Sequence, residues 1–224
     1  MTTLGGSVHR FRLRGVNAYL VEDGDEHVLI DAGTPWDRDR IFRGLSLAGF
    51  DPSDIDSVLL THYDPDHVGT LGALGLRDSV RIHAAEPDAS YVTGDAKPSF
   101  ASHKGAFHRL VGPFLRRPTN SVETIDDGDE IGGFVVYRTP GHTGGHTAFV
   151  HEELGVAFVG DMVRESGGKL VPSPWLLTAD TGANRASIRD FAERCPPVDV
   201  VAMGHGTPIE EHGFGALKRV ADRV

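Results

Sequence analysis

The sequence has one cysteine, Cys195, in 224 residues, so no intrachain disulfide can form and the fold must hold by packing alone. Pro196 and Pro197 follow it, and a lone cysteine in that setting reads as a small buried apolar residue rather than a nucleophile. Basic residues are scarce as well. Lys and Arg number 22 against 32 Asp and Glu, a formal net charge of −10. A surface of that sign repels phosphate backbones and anionic lipid, which argues against nucleic-acid and membrane partners. Arg109, Arg116 and Arg117 come nearest to a basic patch. No apolar run reaches the length of a membrane span. The opening MTTLGGSVHRFRLRGVNAYL lacks an apolar segment followed by a small-residue cleavage site, so a cytoplasmic protein is expected.

What is present is ordinary globular material, 39% hydrophobic and 24% charged, enough to bury a core as one domain over residues 1–224. Alternating residues predict strands over 16–21 and 28–30 around a turn at 22–26. A helix is expected from Trp36 to Ala48, ending near Gly49, then a buried strand at 56–61. A short helix over 69–76 and a strand at 80–83 should follow. Strands resume from Glu123, at 133–138, 147–151 and 156–159, and a helix (183–193), a strand (198–202) and a last helix (214–223) close the chain. Residues 86–118 differ in character, with Pro87, Pro98, Pro113 and Pro118 and a helical stretch at 107–115. They read as an insertion over one face, capping a pocket. Strands with helices interspersed suit a two-sheet α/β (α+β) sandwich with helices outside.

Four segments place His or Asp directly after an apolar strand: Thr61-His62-Tyr63-Asp64-Pro65-Asp66-His67, Thr139-Pro140-Gly141-His142-Thr143-Gly144-Gly145-His146, Gly160-Asp161 and Gly204-His205. Loops leaving rigid strand ends can aim side chains at one spot. Imidazole and carboxylate are ligands for borderline and hard divalent cations. One such histidine alone would read as a satisfied polar residue. Four segments, one of them crowding His62, Asp64, Asp66 and His67 together, point to a metal site, because buried ionisable groups in that number need a cation to offset desolvation.

At these residues the chain resembles the metallo-β-lactamase-fold hydrolases, over about residues 16–207. Its Thr-Pro-Gly-His142-Thr-Gly-Gly-His146 is similar to the form found in glyoxalase II and its relatives. The resemblance implies a four-layer αββα sandwich with two divalent ions at one edge, zinc first. It implies that His62, Asp64 and His142 hold one ion, that Asp66, His67 and His205 hold the other, and that Asp161 bridges them. His146 and Asp31 match positions that support the site rather than ligate. The chain departs from the family's H-x-H-x-D-H motif at Asp64, where histidine is usual. With two dications, Asp66, Asp161 and a bridging hydroxide, the usual site keeps a single positive charge, and Asp64 cancels it. A neutral site polarises substrate less, and the added oxygen donor favours manganese or iron.

The implied reaction is metal-assisted hydrolysis of a small-molecule ester, thioester, lactone or phosphoester, with hydroxide generated near neutral pH and Asp66 accepting and returning a proton. His103, His108 and Arg109 are candidates to meet an anionic group in the insertion, against the plainer reading of a solvated helix face. A second class is an iron-dependent oxidoreductase of the same fold, of the diiron reductase or sulfur dioxygenase type; the flavodiiron proteins resemble this chain in carrying a carboxylate at the position of Asp64. A third is a metal-stabilised binding protein without catalysis.

Overall fold

The computed structural model describes residues 1–100 and 103–224. Its first sheet holds β1 (Thr2–Leu4), β2 (Val8–Arg12), β3 (Asn17–Asp23), β4 (Glu26–Ile30), β5 (Ser57–Leu59), β6 (Arg81–Ala85) and β7 (Val122–Ile125) in sequential order. The four N-terminal strands pair antiparallel, and β4 to β7 run parallel. Parallel neighbours need crossovers, and two of these carry α1 (Arg38–Ala48) and α2 (Asp88–Thr93). The same β6–β7 crossover carries α3 (His103–Val111). The second sheet contains β8 (Glu130–Ile131), β9 (Phe134–Arg138), β10 (Thr147–His151) and β11 (Val156–Gly160). After a separate hairpin, β12 (Val163–Ser166) with β13 (Lys169–Pro172), it is completed by β14 (Val200–Met203), which pairs parallel to β11. Helices α4 (Thr181–Arg194) and α5 (Gly213–Ala221) cover it.

Side-chain alternation builds the layers. On β3, Tyr19 and Val21 face the space between the sheets, where they meet Phe134, Phe149 and Phe158. Ala18 and Leu20 face the other way, packing with Ile41 and Leu45 of α1. On the far side Val150 and Val159 meet Ile188 and Phe191 of α4 and Leu217 of α5. Three apolar layers between four structural ones explain why β10 and β11 are buried at every position. The αββα arrangement is therefore the one expected.

Several elements differ from the sequence reading. Strands β1 and β2, helix α2 and the β12–β13 hairpin lie outside the expected elements. The helix expected at 69–76 shrinks to a single 3-10 turn, Leu71–Ala73, because Gly69 packs against the Thr34–Pro35 backbone too closely for any side chain. The helical stretch placed at 107–115 begins at His103 and gives way to a 3-10 turn at Gly112–Phe114, where Pro113 cannot continue it. Trp36 stays outside α1 and is exposed, while Gly49 closes that helix with φ at 94°. Among the described residues no helix is long and apolar enough to cross a membrane.

Candidate metal centre

The ligand-bearing loops leave strands that run in one direction. Asp31 follows β4, His62 to His67 follow β5, His142 follows β9, Asp161 follows β11 and His205 follows β14. Their convergence at one edge of the sandwich is a product of topology: strands far apart in sequence end side by side.

All seven residues expected to bind metal are brought together. Three overlapping groups have donor atoms within 4.8 Å of one another: His62, Asp64 and His142; His62, His67 and Asp161; Asp66, His67 and His205. Asp161 lies at the centre. Its Oδ1 is 3.4 Å from His67 Nε2, and its Oδ2 is 3.5 Å from His142 Nε2 and 3.1 Å from His205 Nε2. Asp64 Oδ2 is 3.1 Å from His142 Nε2 and 3.4 Å from His62 Nε2, and Asp66 Oδ2 is 3.2 Å from His205 Nε2. Ligands placed tetrahedrally at the usual zinc–nitrogen distance stand roughly 3.3 Å apart, so these spacings fit a shared cation. His62 Nε2, His67 Nε2 and Asp161 Oδ1 are buried without a hydrogen-bond partner. Three orphaned atoms at one point are costly unless a cation answers them, and the donor set fits divalent metal.

Hydrogen bonds behind the donors set which nitrogen each imidazole presents. Asp31 Oδ2 accepts His67 Nδ1–H at 2.7 Å and the Thr61 hydroxyl at 2.7 Å. Having given its proton, the Thr61 oxygen accepts His62 Nδ1–H at 2.9 Å. His205 Nδ1–H donates to the Gly15 carbonyl at 2.7 Å. Each of these rings therefore turns Nε2 rather than Nδ1 toward the centre, the orientation that metal-binding histidines need. Asp31 thus supports the site, as expected, and does so from a positive φ of 59°. His146 is also a support. Its Nε2 accepts the Asp161 backbone N–H at 3.1 Å and its Nδ1 donates to Thr139 Oγ1 at 2.8 Å, so no nitrogen is left for a metal.

Electrostatics divide the imidazoles: burial would lower His67, but Asp161 and Asp31 outweigh it and hold His67 well above the ordinary imidazole range. Burial, helped by neighbouring His67, holds His62 well below the ordinary imidazole range, which keeps it a neutral ligand. Burial would raise Asp161, but His67 and His205 outweigh it and hold the carboxyl well below its usual value. Gly204 matters for room: a Cβ there would collide with Asp161 Oδ1 and lie 2.6 Å from His67 Cε1.

Two residues of the site escaped the sequence reading. Asp88, at the start of α2, accepts the Tyr63 N–H at 2.7 Å and the Thr143 hydroxyl at 2.6 Å on Oδ2, and the Gly145 N–H at 3.0 Å on Oδ1. It ties the His62–His67 loop to the His142 loop, and nothing in its local sequence marks it. The other is Lys104, whose Nζ is 2.8 Å from Asp64 Oδ2. Of the insertion residues proposed to meet an anion, His108 does so inside the protein: its Nε2 is 2.8 Å from Asp64 Oδ1, and it is buried rather than on a solvated face. Arg109 stacks over Phe100 at 4.4 Å, and exposed His103 makes a T-shaped contact with Trp175. The signal for Lys104 and His108 was their four-residue spacing on one helix face, together with the uncompensated charge of Asp64.

A family model described as the metallo-beta-lactamase superfamily matches residues 11–205. The chain belongs to that superfamily. Among superfamily relatives, the protein YobT of Bacillus subtilis is 28% identical over 85% of this chain and 83% of its own length. The atrochrysone carboxyl ACP thioesterase nsrC of Aspergillus novofumigatus is 31% identical over 78% of this chain. The chain spans about half the length of such fungal relatives, 47% in that case. Of solved superfamily structures, TTHA1623 in a di-iron-bound form is 27% identical, covers 95% of this chain and 98% of its own, and has a TM-score of 0.71. A metallo-beta-lactamase family protein of Thermus thermophilus covers 96% of this chain and 78% of its own at 24% identity, TM-score 0.70, and shows the fold alone.

Proposed function

We propose that the chain is a metal-dependent hydrolase of a small-molecule ester or thioester, with His62, Asp64, His142, Asp66, His67, His205 and Asp161 as the ligands of two divalent ions. The observation that carries this reading is three donor groups that overlap through His62 and His67, whose Nε2 atoms are orphaned. Divalent ions bound there supply Lewis acidity, polarising a carbonyl and easing ionisation of water. The residues do the rest. Asp31 and Thr61 fix the tautomers of His67 and His62, and Asp88 holds two ligand loops in register. Asp66 and His205 are partly exposed, while His62, His67 and His142 are buried, so Asp66 stands where water enters. It is the group placed to take a proton from the attacking water and return it to the leaving group.

A cavity of about 590 Å³, bounded by Tyr63, Leu71, Tyr91, Phe100 and Leu115, is lined by none of the seven donors but has on its wall His108, the neighbour of Asp64. Its lining is mixed apolar and aromatic, with Arg109, Arg116 and Arg117 also bordering it, which suits an acyl group attached to an anionic carrier. The cavity is built largely from the 86–118 insertion, which in this reading sets substrate choice. The thioesterase names among fungal relatives point to the same bond class.

The test is a panel of aryl esters, acyl thioesters, lactones and phosphodiesters, with zinc, manganese or iron restored to chelated protein. Hydrolysis should need metal and should vanish, with reduced metal content, in His142→Ala and Asp161→Ala. Full activity and intact metal in either variant would refute the ligand assignment. A second reading, an iron-dependent oxidoreductase, is favoured by the extra oxygen donor of Asp64 and by the di-iron form of TTHA1623. Iron retained on purification, with oxygen consumed and no hydrolysis, would select it.

A further inference from the structure

Asp64 is a buried carboxylate with an ammonium against one oxygen and an imidazole close to the other, the latter without hydrogen-bond geometry. Lys104 Nζ meets Oδ2 at 2.8 Å and also donates to the Leu177 carbonyl at 2.7 Å, while His108 Nε2 meets Oδ1 at 2.8 Å. Lys104 is 6% exposed, and a lysine is seldom buried to that degree unless it is paired. It approaches Asp64 from α3, outside the donor cluster. His62 Nε2 keeps no hydrogen-bond partner, so the ammonium leaves that imidazole unsatisfied. No such cation reaches the other side of the centre among the described residues: Asp66 and Asp161 pair only with His67, His142 and His205.

This pairing answers the charge problem posed by Asp64. A carboxylate in place of the family's usual histidine removes one positive charge from the centre, and the ammonium on the same oxygen restores it. It also has a cost in affinity. An oxygen already drawn on by an ammonium at 2.8 Å is a poorer ligand, and the ammonium itself repels a dication nearby.

We propose that Lys104 is the counter-charge of Asp64 and grades the metal centre, so that the His62–Asp64–His142 position holds its ion more loosely than the position built on Asp66, His67, Asp161 and His205. The inference rests on the two-metal reading. Lys104 is a positioning residue, acting through Asp64 rather than on substrate, and His108 steadies the second oxygen of the same carboxylate. The loose position is the exchangeable one, and the docking of α3 sets how loosely it binds.

The test is metal stoichiometry and affinity by competition with chelators of graded strength, using zinc as the probe and mass spectrometry as the readout. Wild type should release its two ions in separate stages, at least tenfold apart. Lys104→Met should tighten the weaker site by about tenfold or more, equivalent to roughly 1.4 kcal/mol, because the ion then no longer competes with an ammonium for Oδ2 of a buried carboxylate. Its thermal midpoint should fall without metal and recover with metal by more than wild type does. Asp64→His/Lys104→Met, which removes both charges and remains informative if the single variant does not fold, should bind two ions with nearly equal affinity. Asp64→His alone, leaving the ammonium beside three imidazoles, should bind the first-position ion at least tenfold more weakly than the double variant. Simultaneous release of both ions from wild type, or an unchanged weaker site in Lys104→Met, would overturn the proposal. Wild type that takes up no metal at all would instead overturn the metal-centre reading beneath it.

Discussion

Replacing Asp88 by alanine should damage the protein although Asp88 binds no metal. Its carboxyl accepts two backbone N–H groups, from Tyr63 and Gly145, and the Thr143 hydroxyl, all buried. The hydroxyl can rotate to another acceptor, but the two N–H groups are fixed by their loops. Leaving a buried donor unsatisfied costs about 1–3 kcal/mol, so the pair amounts to roughly 4 kcal/mol. In a chain of this size each kcal/mol shifts the midpoint by roughly 2–4 °C, so about 8–16 °C should be lost. Urea denaturation of the metal-free protein measures the free energy directly, and Asp88→Asn should recover only part, since its amide offers one acceptor oxygen to three donors. A loss below about 1 kcal/mol, at unchanged m-value, would refute the view that this carboxyl cross-ties the two ligand loops.

Other outcomes follow from the same geometry. Asp31→Asn should lower metal affinity about 10–100-fold by releasing the His67 and Thr61 orientation; unchanged chelator competition would exclude it. In metal-free protein burial alone would lower His205, but its hydrogen bonds to Asp161 and Asp66 prevail and raise it from 6.5 to about 10. A raised folded pKa means stabilisation complete below the unfolded value and lost as pH climbs through the folded one. The chelated protein should therefore unfold at lower urea at pH 9.5 than at pH 6.5, and zinc-loaded protein should show a smaller change. Burial pushes the Cys195 thiol up to about 12, so iodoacetamide at pH 8 should label it only after unfolding, as mass spectrometry can show; rapid native labelling would contradict its burial.

Much of the fold was legible because period-2 patterns survive tertiary contact. Val16 to Val21 carries such a pattern and Val28 to Ile30 is the apolar return after a turn, and β3 and β4 lie there. The edge strand β1 was not legible, since Thr2–Leu4 carries too little pattern to stand above coil, nor was its neighbour β2, where His9, Arg10 and Arg12 outnumber two apolar residues. Helix α3 begins four residues before the expected stretch, and His108, for which a solvated face is the plainer reading from sequence, is buried with Lys104 against Asp64.

The sequence by itself determined the donor chemistry: which side chains can bind a cation, that they follow strands, and that Asp64 adds a charge the usual pattern lacks. Those are properties of residue type and local spacing. Which atoms meet was decided only by the tertiary structure. Pairing β11 parallel to β14 puts Asp161 beside His205, and α3 lowers an ammonium and an imidazole onto Asp64. Contacts between segments tens of residues apart depend on sheet order and crossover path, and no local pattern encodes either. The compensation for Asp64 therefore lies forty residues away, on a helix whose docking is a property of the whole fold.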